Sequence, residues 1–145
     1  MANVNAAFGL IPTRHLSGNG YSRANVYTIT SGLAENIFTG DVVINLAAVH
    51  RDDVRPLSRY DDVNVQGAVN VCEAARESEV NKIIFTSSVA IYGFAPENTD
   101  ESGKPNYFND YGRTKYEAEL IFKKWQKDDP ENRSLIIIRP TVIFG

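Results

Sequence analysis

The sequence predicts an α/β fold in which the strands of a parallel sheet alternate with helices, after a β-rich or irregular N-terminal segment. Two observations carry this prediction. Short and almost continuous apolar runs at residues 41–48, 82–86 and 135–139 are typical of buried parallel strands. The longer segments between these runs have apolar residues at helical spacing, so we expect them to form crossover helices.

The composition is that of an ordinary globular protein, with 145 residues, 43% hydrophobic residues and a net charge of -3. A chain of this size buries roughly 70% of its unfolded surface, so a hydrophobic core is expected. No apolar run approaches the ~20 residues of a membrane span, and the N-terminus lacks the pattern of a signal peptide. These features predict a cytoplasmic location, and the charge balance gives no reason to expect nucleic-acid binding.

The chain contains a single cysteine, Cys72, which excludes an internal disulfide and is expected to pack in the core. His50 and the charged residues around Asp52 and Asp53 are expected to lie in a solvated loop. Because neither shows a ligand spacing that is supported elsewhere in the chain, no metal site is predicted.

Residues 1–40 are predicted to form short strands at most, and they contain no lysine. Val26–Thr30 is rich in β-branched and aromatic residues and favours a strand. Ser31-Gly32 is a turn signal, and Asn36–Thr39 is a candidate for a second short strand. Nothing in this segment has the pattern of a helix of convincing length.

The first strand of the parallel sheet is predicted at Asp41–Ala48, and its crossover helix from about Arg59 to Glu77. A polar loop, residues 49–56, separates them, and Ser58 is placed to cap the helix. The face of this helix that we expect to be buried consists of Tyr60, Val63, Gly67, Val71 and Ala74.

The second strand, Lys82–Thr86, leads into Ser87-Ser88 and then into a long loop, residues 94–109. Long loops in compact domains are often functional. A helix is predicted from Tyr111 to about Lys127, and the third strand is Leu135–Arg139. The helix carries a stripe that we expect to be buried, which consists of Tyr111, Lys115, Ala118, Ile121, Phe122 and Trp125.

Three polar residues are expected to converge at the carboxyl edge of the sheet, where doubly wound sheets bind their ligands. Ser88 follows the second strand, and the helix with Tyr111 and Lys115 begins on the same edge because it follows the loop that leaves that strand. A lysine on a buried stripe needs a partner, and the Tyr111 phenol, one turn earlier, is the expected one. A chance surface pair is the alternative.

This set of residues suits the oxidation of an alcohol. A free phenol is a poor base at neutral pH, but a nearby cation favours the phenolate, so Tyr111 beside Lys115 is a candidate proton acceptor. The hydroxyl of Ser88 is a candidate for orienting the alcohol or polarising the carbonyl that it becomes. Side chains cannot accept the hydride, which points to a nicotinamide cofactor.

Five motifs follow one another in residues 41–145, about 70% of the chain. They are Val43-Ile44-Asn45-Leu46-Ala47-Ala48, Asn64-Val65-Gln66-Gly67, Phe85-Thr86-Ser87-Ser88-Val89-Ala90-Ile91-Tyr92-Gly93, Tyr111-x-x-x-Lys115 and Arg139-Pro140-x-x-x-x-Gly145. Together they resemble the extended short-chain dehydrogenase/reductases, specifically the NAD-dependent sugar epimerases and dehydratases. The resemblance implies a partial Rossmann-like parallel sheet with strand–helix–strand–helix–strand order.

The resemblance also implies roles for single residues. Tyr111 takes a proton from a sugar hydroxyl while hydride passes to NAD, Lys115 holds the nicotinamide ribose, and Ser88 binds the reacting oxygen. The residues implied to line NAD are Leu46, Ala47, Thr86, Tyr111, Lys115, Pro140 and Thr141. The substrate implied is a sugar nucleotide or a lipid-linked sugar. The segment His50–Pro56 is most similar to enzymes that epimerise C4 of GlcNAc on undecaprenyl diphosphate.

The sequence departs from the family pattern in two ways. No three glycines have the spacing Gly-x-x-Gly-x-x-Gly that holds the cofactor pyrophosphate, and the chain ends at Gly145, where the family continues. We therefore expect little or no activity from this chain alone. We also expect the strand Asp41–Ala48 to have a bare edge, covered by Val26–Thr30 or by a partner chain, so that self-association through it is expected.

Residues 1–40 resemble a different group of proteins, the small phage structural proteins associated with capsids. The resemblance rests on residues 6–18, with Tyr27-Thr28-Ile29 and residues 36–41 in support. It implies a β-rich virion protein without enzymatic activity, and the virion is then the alternative location. We therefore predict two parts, an unrelated N-terminal segment (1–40) and the central part of an epimerase domain (41–145), joined as a fusion.

Overall fold

The computed structural model describes residues 8–11, 25–27 and 42–141 of the protein. Its strands are short, as is usual for parallel α/β sheets. They are β1 (Phe8–Ile11), β2 (Asn25–Tyr27), β3 (Val42–Asn45), β4 (Lys82–Thr86) and β5 (Ser134–Ile138). Strand β4 has the predicted bounds, and β5 lies one residue before the predicted strand.

The first crossover is helical throughout but not uniformly so. It consists of α1 (Ser58–Tyr60), a π-helical stretch (Asp61–Val65) and α2 (Gln66–Glu77). Ser58 was predicted to cap this helix, and that is wrong, because the cap position is Leu57 and Ser58 is already helical. The second crossover contains a 3₁₀ helix (Val89–Tyr92) and α3 (Asp110–Lys127).

The sheet has the strand order β2-β1-β3-β4-β5. Strands β3, β4 and β5 are parallel neighbours, with Asn45 opposite Phe85 and Phe85 opposite Ile137. The carboxyl ends of these three strands therefore lie at one edge of the sheet. The prediction of an α/β fold with a partial, Rossmann-like parallel sheet is confirmed.

The edge of β3 is not bare. Strand β1 pairs with it in antiparallel orientation, and β2 pairs with β1. Val26 and Tyr27 are indeed in a strand, but that strand does not touch β3, so the expectation that Val26–Thr30 covers this edge is wrong. Residues 28–30 and the candidate strand Asn36–Thr39 lie outside the described residues. The sequence signal of β1 is weak because Gly9 interrupts it.

Strand β3 ends three residues earlier than predicted. The buried side chain of Asn45 accepts a hydrogen bond from the Ala47 amide through Oδ1 at 3.0 Å. This local hydrogen bond offers the backbone an alternative to the ladder of the sheet. The chain therefore turns at Leu46, and residues 46–50 run along the carboxyl edge.

The core lies on one face of the sheet, between the strands and the helices α2 and α3. Cys72 belongs to it as predicted, with 2% of its surface exposed, and burial raises the pKa of its thiol to about 12. In both helices, the residues predicted to form the central part of the buried face are indeed buried. The cluster contains Val43, Ala68, Val71, Cys72, Ala74, Ala75, Val80, Ile83, Phe85, Ala118, Phe122 and Trp125.

Strand β5 is buried on one face only, which corrects the prediction of a fully buried strand. Leu135 and Ile137 pack against the core, whereas Ile136 and Ile138 are 52% and 47% exposed. Both crossovers lead in the same direction across the sheet. Right-handed crossovers then place α2 and α3 on the same face, and no described helix covers the other.

Candidate active site

Helix α3 begins with a side-chain cap that fixes its first turn. The Oδ1 atom of Asn109 accepts a hydrogen bond from the Gly112 amide at 2.8 Å, which satisfies one of the unpaired amides of the helix N-terminus. Asp110 in the first turn, and Lys124 and Lys127 in the last, complement the helix dipole. Tyr111 therefore lies in a well-fixed first turn, and it is half-buried.

Lys115 lies one turn after Tyr111 and is 98% buried, with 2% exposed. Its ammonium donates a hydrogen bond to the Thr86 carbonyl at 2.5 Å and lies 4.3 Å from the centre of the Phe85 ring. Among the described residues the Tyr111 phenol is not its hydrogen-bond partner, which corrects the sequence expectation. Burial lowers the pKa of Lys115 to about 8, although the charge of Glu119 opposes this shift.

A glycine lets α3 approach the segment that carries Ser88. A Cβ atom on Gly112 would lie 2.5 Å from the Ala90 carbonyl oxygen and 2.9 Å from Cβ of Tyr107. Only glycine permits this contact between the first turn of α3 and the 3₁₀ helix. Because Tyr111 precedes Gly112 and Ser88 caps the 3₁₀ helix, the contact brings the two candidate catalytic segments together.

Ser88 has a structural role that leaves its proton available. Its Oγ atom accepts a hydrogen bond from the Ala90 amide at 3.1 Å and so caps the 3₁₀ helix. The cap uses a lone pair of the hydroxyl, so the proton can be donated to another oxygen. Ser88 is half-buried, whereas Ser87 is 3% exposed, and the choice of Ser88 as the candidate catalytic serine remains a prediction.

Asn64 belongs to the motif Asn64-Val65-Gln66-Gly67, but the sequence analysis assigned it no role. Its amide group accepts from the Val49 amide at 2.7 Å and donates to the Val49 carbonyl at 3.0 Å and to Thr114 Oγ1 at 2.9 Å. It therefore ties the edge segment 46–50 to the start of α3. The available signal was a polar residue on the apolar face of the predicted helix. Asn64 lies in the π-helical stretch, a geometry often found at functional sites.

Arg113 holds the same helix start from its outer side. Its guanidinium forms two hydrogen bonds with the Asp61 carboxylate, at 2.9 and 3.0 Å, and ion pairs at 3.1 Å with Asp110 and Glu117. The hydrogen bond from Arg113 is the main cause that lowers the pKa of Asp61. The side chain of Arg113 is 27% exposed, so this network stabilises the docking of α3 less than a dry one would.

The residues predicted to line NAD lie along the carboxyl edge. Leu46 and Ala47 follow β3, Thr86 ends β4, and Pro140 and Thr141 follow β5. Leu46 is exposed and Ala47 is buried. The β4 and β5 ends stay together beyond the sheet, because the amides of Ser87 and Val89 donate to the carbonyls of Ile138 and Pro140 at 2.7 and 3.2 Å.

The charged loop after β3 is solvated, as predicted. His50, Asp52 and Asp53 are exposed, and Arg51 pairs with Asp53 at 2.6 Å. Within the described part of the chain, no group of three His, Cys, Asp or Glu side chains is placed to hold a metal ion. No described helix is long and apolar enough to cross a membrane.

The long loop between the 3₁₀ helix and α3 encloses a cleft of about 530 Å³. The loop is closed at its base, where the Asn106 amide donates to the Ile91 carbonyl at 2.8 Å. Gly93 there has φ +58° and would place a Cβ atom 2.0 Å from the Asn106 carbonyl. The cleft lies beside the candidate active site and contains none of its predicted residues; its lining includes Tyr92, Phe94, Thr99, Lys104 and Asn106.

Comparisons with known proteins match this arrangement. The model of the NAD dependent epimerase/dehydratase family matches residues 27–145. A curated relative, the N-acetyl-alpha-D-glucosaminyl-diphospho-ditrans,octacis-undecaprenol 4-epimerase of Escherichia coli O157:H7, is 54% identical over 105 residues. The match covers 72% of this chain and 32% of that protein. The chain thus spans about a third of the length of the curated relatives that it matches.

Two solved structures illustrate the similarity in fold. The UDP-N-acetylglucosamine 4-epimerase of Methanobrevibacter ruminantium M1 superposes with a TM-score of 0.69 at 24% identity, covering 77% of this chain and 36% of that one. The UDP-glucose 4-epimerase of Brucella ovis, solved in complex with NAD, gives a TM-score of 0.64 at 26% identity and covers 74% and 34%. NAD is therefore the cofactor that resemblance assigns.

Proposed function

The chain belongs to the NAD dependent epimerase/dehydratase family, and we propose that it carries the catalytic segment of a sugar 4-epimerase. The observation that supports this most directly is the buried Lys115, whose ammonium donates a hydrogen bond to the Thr86 carbonyl one turn after Tyr111. A lysine is rarely so buried unless its charge is used. The close approach at Gly112 adds Ser88 to the same edge of the sheet.

In the proposed mechanism, Tyr111 accepts the proton of the sugar hydroxyl that is oxidised. The Lys115 ammonium stabilises the phenolate that forms, and the Ser88 hydroxyl donates a hydrogen bond to the oxygen of the resulting keto sugar. NAD, when bound, would supply the hydride acceptor and donor that the oxidation and the reverse reduction require. Tyr111 then gives the proton back, and the configuration at that carbon is inverted.

The described residues fit one part of a nicotinamide cofactor. Small side chains follow β3 at Ala47 and Ala48, and the exposed Thr141 follows β5. We propose that Leu46, Ala47, Thr86, Pro140 and Thr141 line this part. The sequence has no Gly-x-x-Gly-x-x-Gly turn for the pyrophosphate, so the 145 residues supply only part of a complete cofactor site.

We propose a lipid-linked sugar as the substrate, in preference to a sugar nucleotide. The relative that acts on a sugar linked to undecaprenol is 54% identical to this chain, whereas a UDP-glucose 4-epimerase of Vibrio cholerae is 34% identical.

A chimera tests the proposed chemistry. The matching segment of the Escherichia coli O157:H7 relative is replaced by residues 41–145, and epimerisation of lipid-linked GlcNAc is measured. We expect activity that Tyr111→Phe reduces by at least about 100-fold, because a general base contributes 10²–10⁴-fold. Tyr116→Phe, in the same helix, is the matched control and should keep the activity. A folded chimera whose activity is unchanged by Tyr111→Phe would contradict the proposed mechanism. Activity on UDP-GlcNAc alone would contradict the proposed substrate.

The isolated chain should bind NAD weakly or not at all, because nothing in its sequence matches the glycine turn of the family. Isothermal titration calorimetry with NAD measures this directly. A dissociation constant in the micromolar range would contradict the expectation and would mean that another segment holds the pyrophosphate.

The division of the chain at residue 40 remains a proposal, as does the phage-like origin of residues 1–40. The family match begins at residue 27, within that segment, and β1 and β2 from it extend the sheet. Self-association also remains a proposal. The bare edge of β3 no longer supports it, because β1 pairs with that edge. Finding the chain in purified virus particles would support the structural alternative.

A further inference from the structure

Glu119 is a fully buried carboxylate that neither the motifs nor the proposed mechanism uses. It lies one helical turn after Lys115 and two turns after Tyr111, and its side chain is 0% exposed. Residues four apart in a helix share one face, so Tyr111, Lys115 and Glu119 form one stripe. A buried carboxylate is retained only where partners compensate for its desolvation.

The partners of Glu119 are cations. Arg139 donates from Nε to Oε1 at 2.8 Å and from Nη2 to Oε2 at 2.7 Å, and Lys123 pairs with Oε2 at 3.1 Å. Burial raises the pKa of Glu119, but hydrogen bonds from Arg139 and Lys123 outweigh this effect, so its pKa lies below the ordinary value. The Ser87 hydroxyl contributes by proximity, although no described atom meets full hydrogen-bond geometry with it. Glu119 is therefore ionised at neutral pH.

Arg139 connects this carboxylate to the edge of the sheet. It directly follows β5, and its guanidinium also donates to the Tyr92 hydroxyl and, at 3.1 Å, to the Glu101 carbonyl. The side chain of Arg139 thus links four parts of the fold: α3, the end of β5, the 3₁₀ helix that Ser88 caps, and the long loop. The angular position of the α3 stripe is fixed at the level of Glu119.

The charge of Glu119 acts on Lys115. On α3, Lys115 has Tyr111 one turn before it and Glu119 one turn after it, and on β4 it meets the neutral Thr86 carbonyl and the Phe85 ring. Arg139, which directly follows β5, binds the Glu119 carboxylate with its guanidinium. Burial alone favours a neutral lysine, and Glu119 is the charge that opposes it.

We propose that Glu119 is a positioning residue of the candidate active site, which keeps Lys115 a cation through its charge and fixes the Tyr111–Lys115 stripe through Arg139. This inference rests on the proposed roles of Tyr111 and Lys115, and it adds a residue that acts on them without touching the substrate. It also explains why a carboxylate occupies a site in the core where an apolar side chain would need no partners.

The titration of Lys115 in the intact chain tests this proposal. Lysine side chains are labelled with ¹³C, the Lys115 signal is assigned with Lys115→Arg, and its pKa is measured by NMR. Glu119→Gln should lower this pKa by more than about 0.3 unit, because it removes the opposite charge that lies one helical turn from Lys115. Glu117→Gln is the matched control, since Glu117 pairs with Arg113 in the same helix, and it should change the Lys115 pKa by less than about 0.3 unit.

A folded Glu119→Gln variant whose Lys115 pKa stays within about 0.3 unit of the wild type overturns the proposal. If Glu119→Gln does not fold, the double variant Glu119→Gln/Arg139→Gln avoids an unpaired buried guanidinium, and it should lower the pKa in the same direction. An unchanged pKa in the double variant also overturns the proposal. Glu119→Asp keeps the charge and should restore a pKa close to that of the wild type.

The same variants separate this proposal from the proposed function. In the active chimera, Glu119→Gln should move the alkaline limb of kcat to lower pH, whereas a loss of packing alone would lower kcat equally at every pH. An inactive chimera together with the expected Lys115 shift would remove the function and leave the electrostatic role. An active chimera in which Glu119→Gln leaves the pKa of Lys115 unchanged would support the proposed function and overturn the role of Glu119.

Discussion

Lys115 carries a charge at a buried site, where burial favours the neutral form. The stability of the folded chain therefore depends on pH. The pKa of Lys115 is about 8 in the folded chain against 10.5 in the ordinary lysine. Between these two values the unfolded chain binds more protons than the folded one, so the free energy of unfolding rises with pH. Below about pH 8 Lys115 is charged in the folded chain too, so burial of its charge lowers the free energy of unfolding by the full amount. At 1.36 kcal/mol per pKa unit, this amount is at most about 3 kcal/mol.

Lys115→Met should therefore stabilise the chain at pH 7. The substitution removes the desolvated charge and loses the hydrogen bond to Thr86, so we expect a net gain of about 1–2 kcal/mol in the free energy of unfolding. Urea denaturation at pH 7 and at pH 10 measures it, and the gain should shrink at the higher pH. Lys124→Met, at an exposed site of the same helix, is the control; a destabilised Lys115→Met chain would refute this reading.

Glu119 and Asn64 show how far sequence reasoning reaches at the scale of single residues. The stripe with Tyr111 and Lys115 was predictable because helical spacing is local. A buried carboxylate has no such signal, because its partner Arg139 is 20 residues away. Asn64 contacts Thr114 across 50 residues, so only the folded chain shows why an amide belongs on an apolar helix face.

At the scale of elements, the contact between α3 and the 3₁₀ helix decides whether the candidate residues meet. The sequence placed α3 within one residue of its observed start and placed its end at Lys127. It did not show that Gly112 has to be a glycine, since glycine inside a helix is usually a weakness. The Ala90 carbonyl that demands it belongs to another element.

Gly112→Ala tests this contact. Alanine normally stabilises a helix interior by about 0.5–1 kcal/mol relative to glycine, but here the added Cβ would lie 2.5 Å from a backbone oxygen. We therefore expect a loss of about 1–3 kcal/mol, the usual cost of overpacking. Thermal unfolding followed by circular dichroism measures it, with Lys124→Ala as the control in the same helix. A chain that becomes more stable would show that the two helices are not in this contact.

Within the part of the chain that the structure describes, helices cover one face of the sheet and no helix covers the other. Strand β5 lies at the edge of the sheet, and its Ile136 and Ile138 side chains leave half of their surface exposed. Exposed apolar patches of this kind mark interaction sites or aggregation hazards.

Threonine substitutions distinguish the two faces of β5. Ile136→Thr should change the free energy of unfolding by less than about 0.5 kcal/mol, as exposed sites usually do. Ile137→Thr, on the face packed against the core, should cost about 1–3 kcal/mol because it buries a hydroxyl and removes packing. Urea denaturation of both variants gives the comparison. Equal costs at the two positions would mean that the open face is covered in solution.

The sequence by itself determined the order and type of the elements from β3 to β5, because each is encoded by a local period of apolar residues. It also determined the family and the candidate catalytic residues, through motifs that are contiguous in the chain. The tertiary structure decided which partners those residues have. Thr86 instead of Tyr111 holds the Lys115 ammonium, β1 instead of β2 covers β3, and Arg139 secures Glu119. These contacts join distant parts of the chain, so no local pattern encodes them.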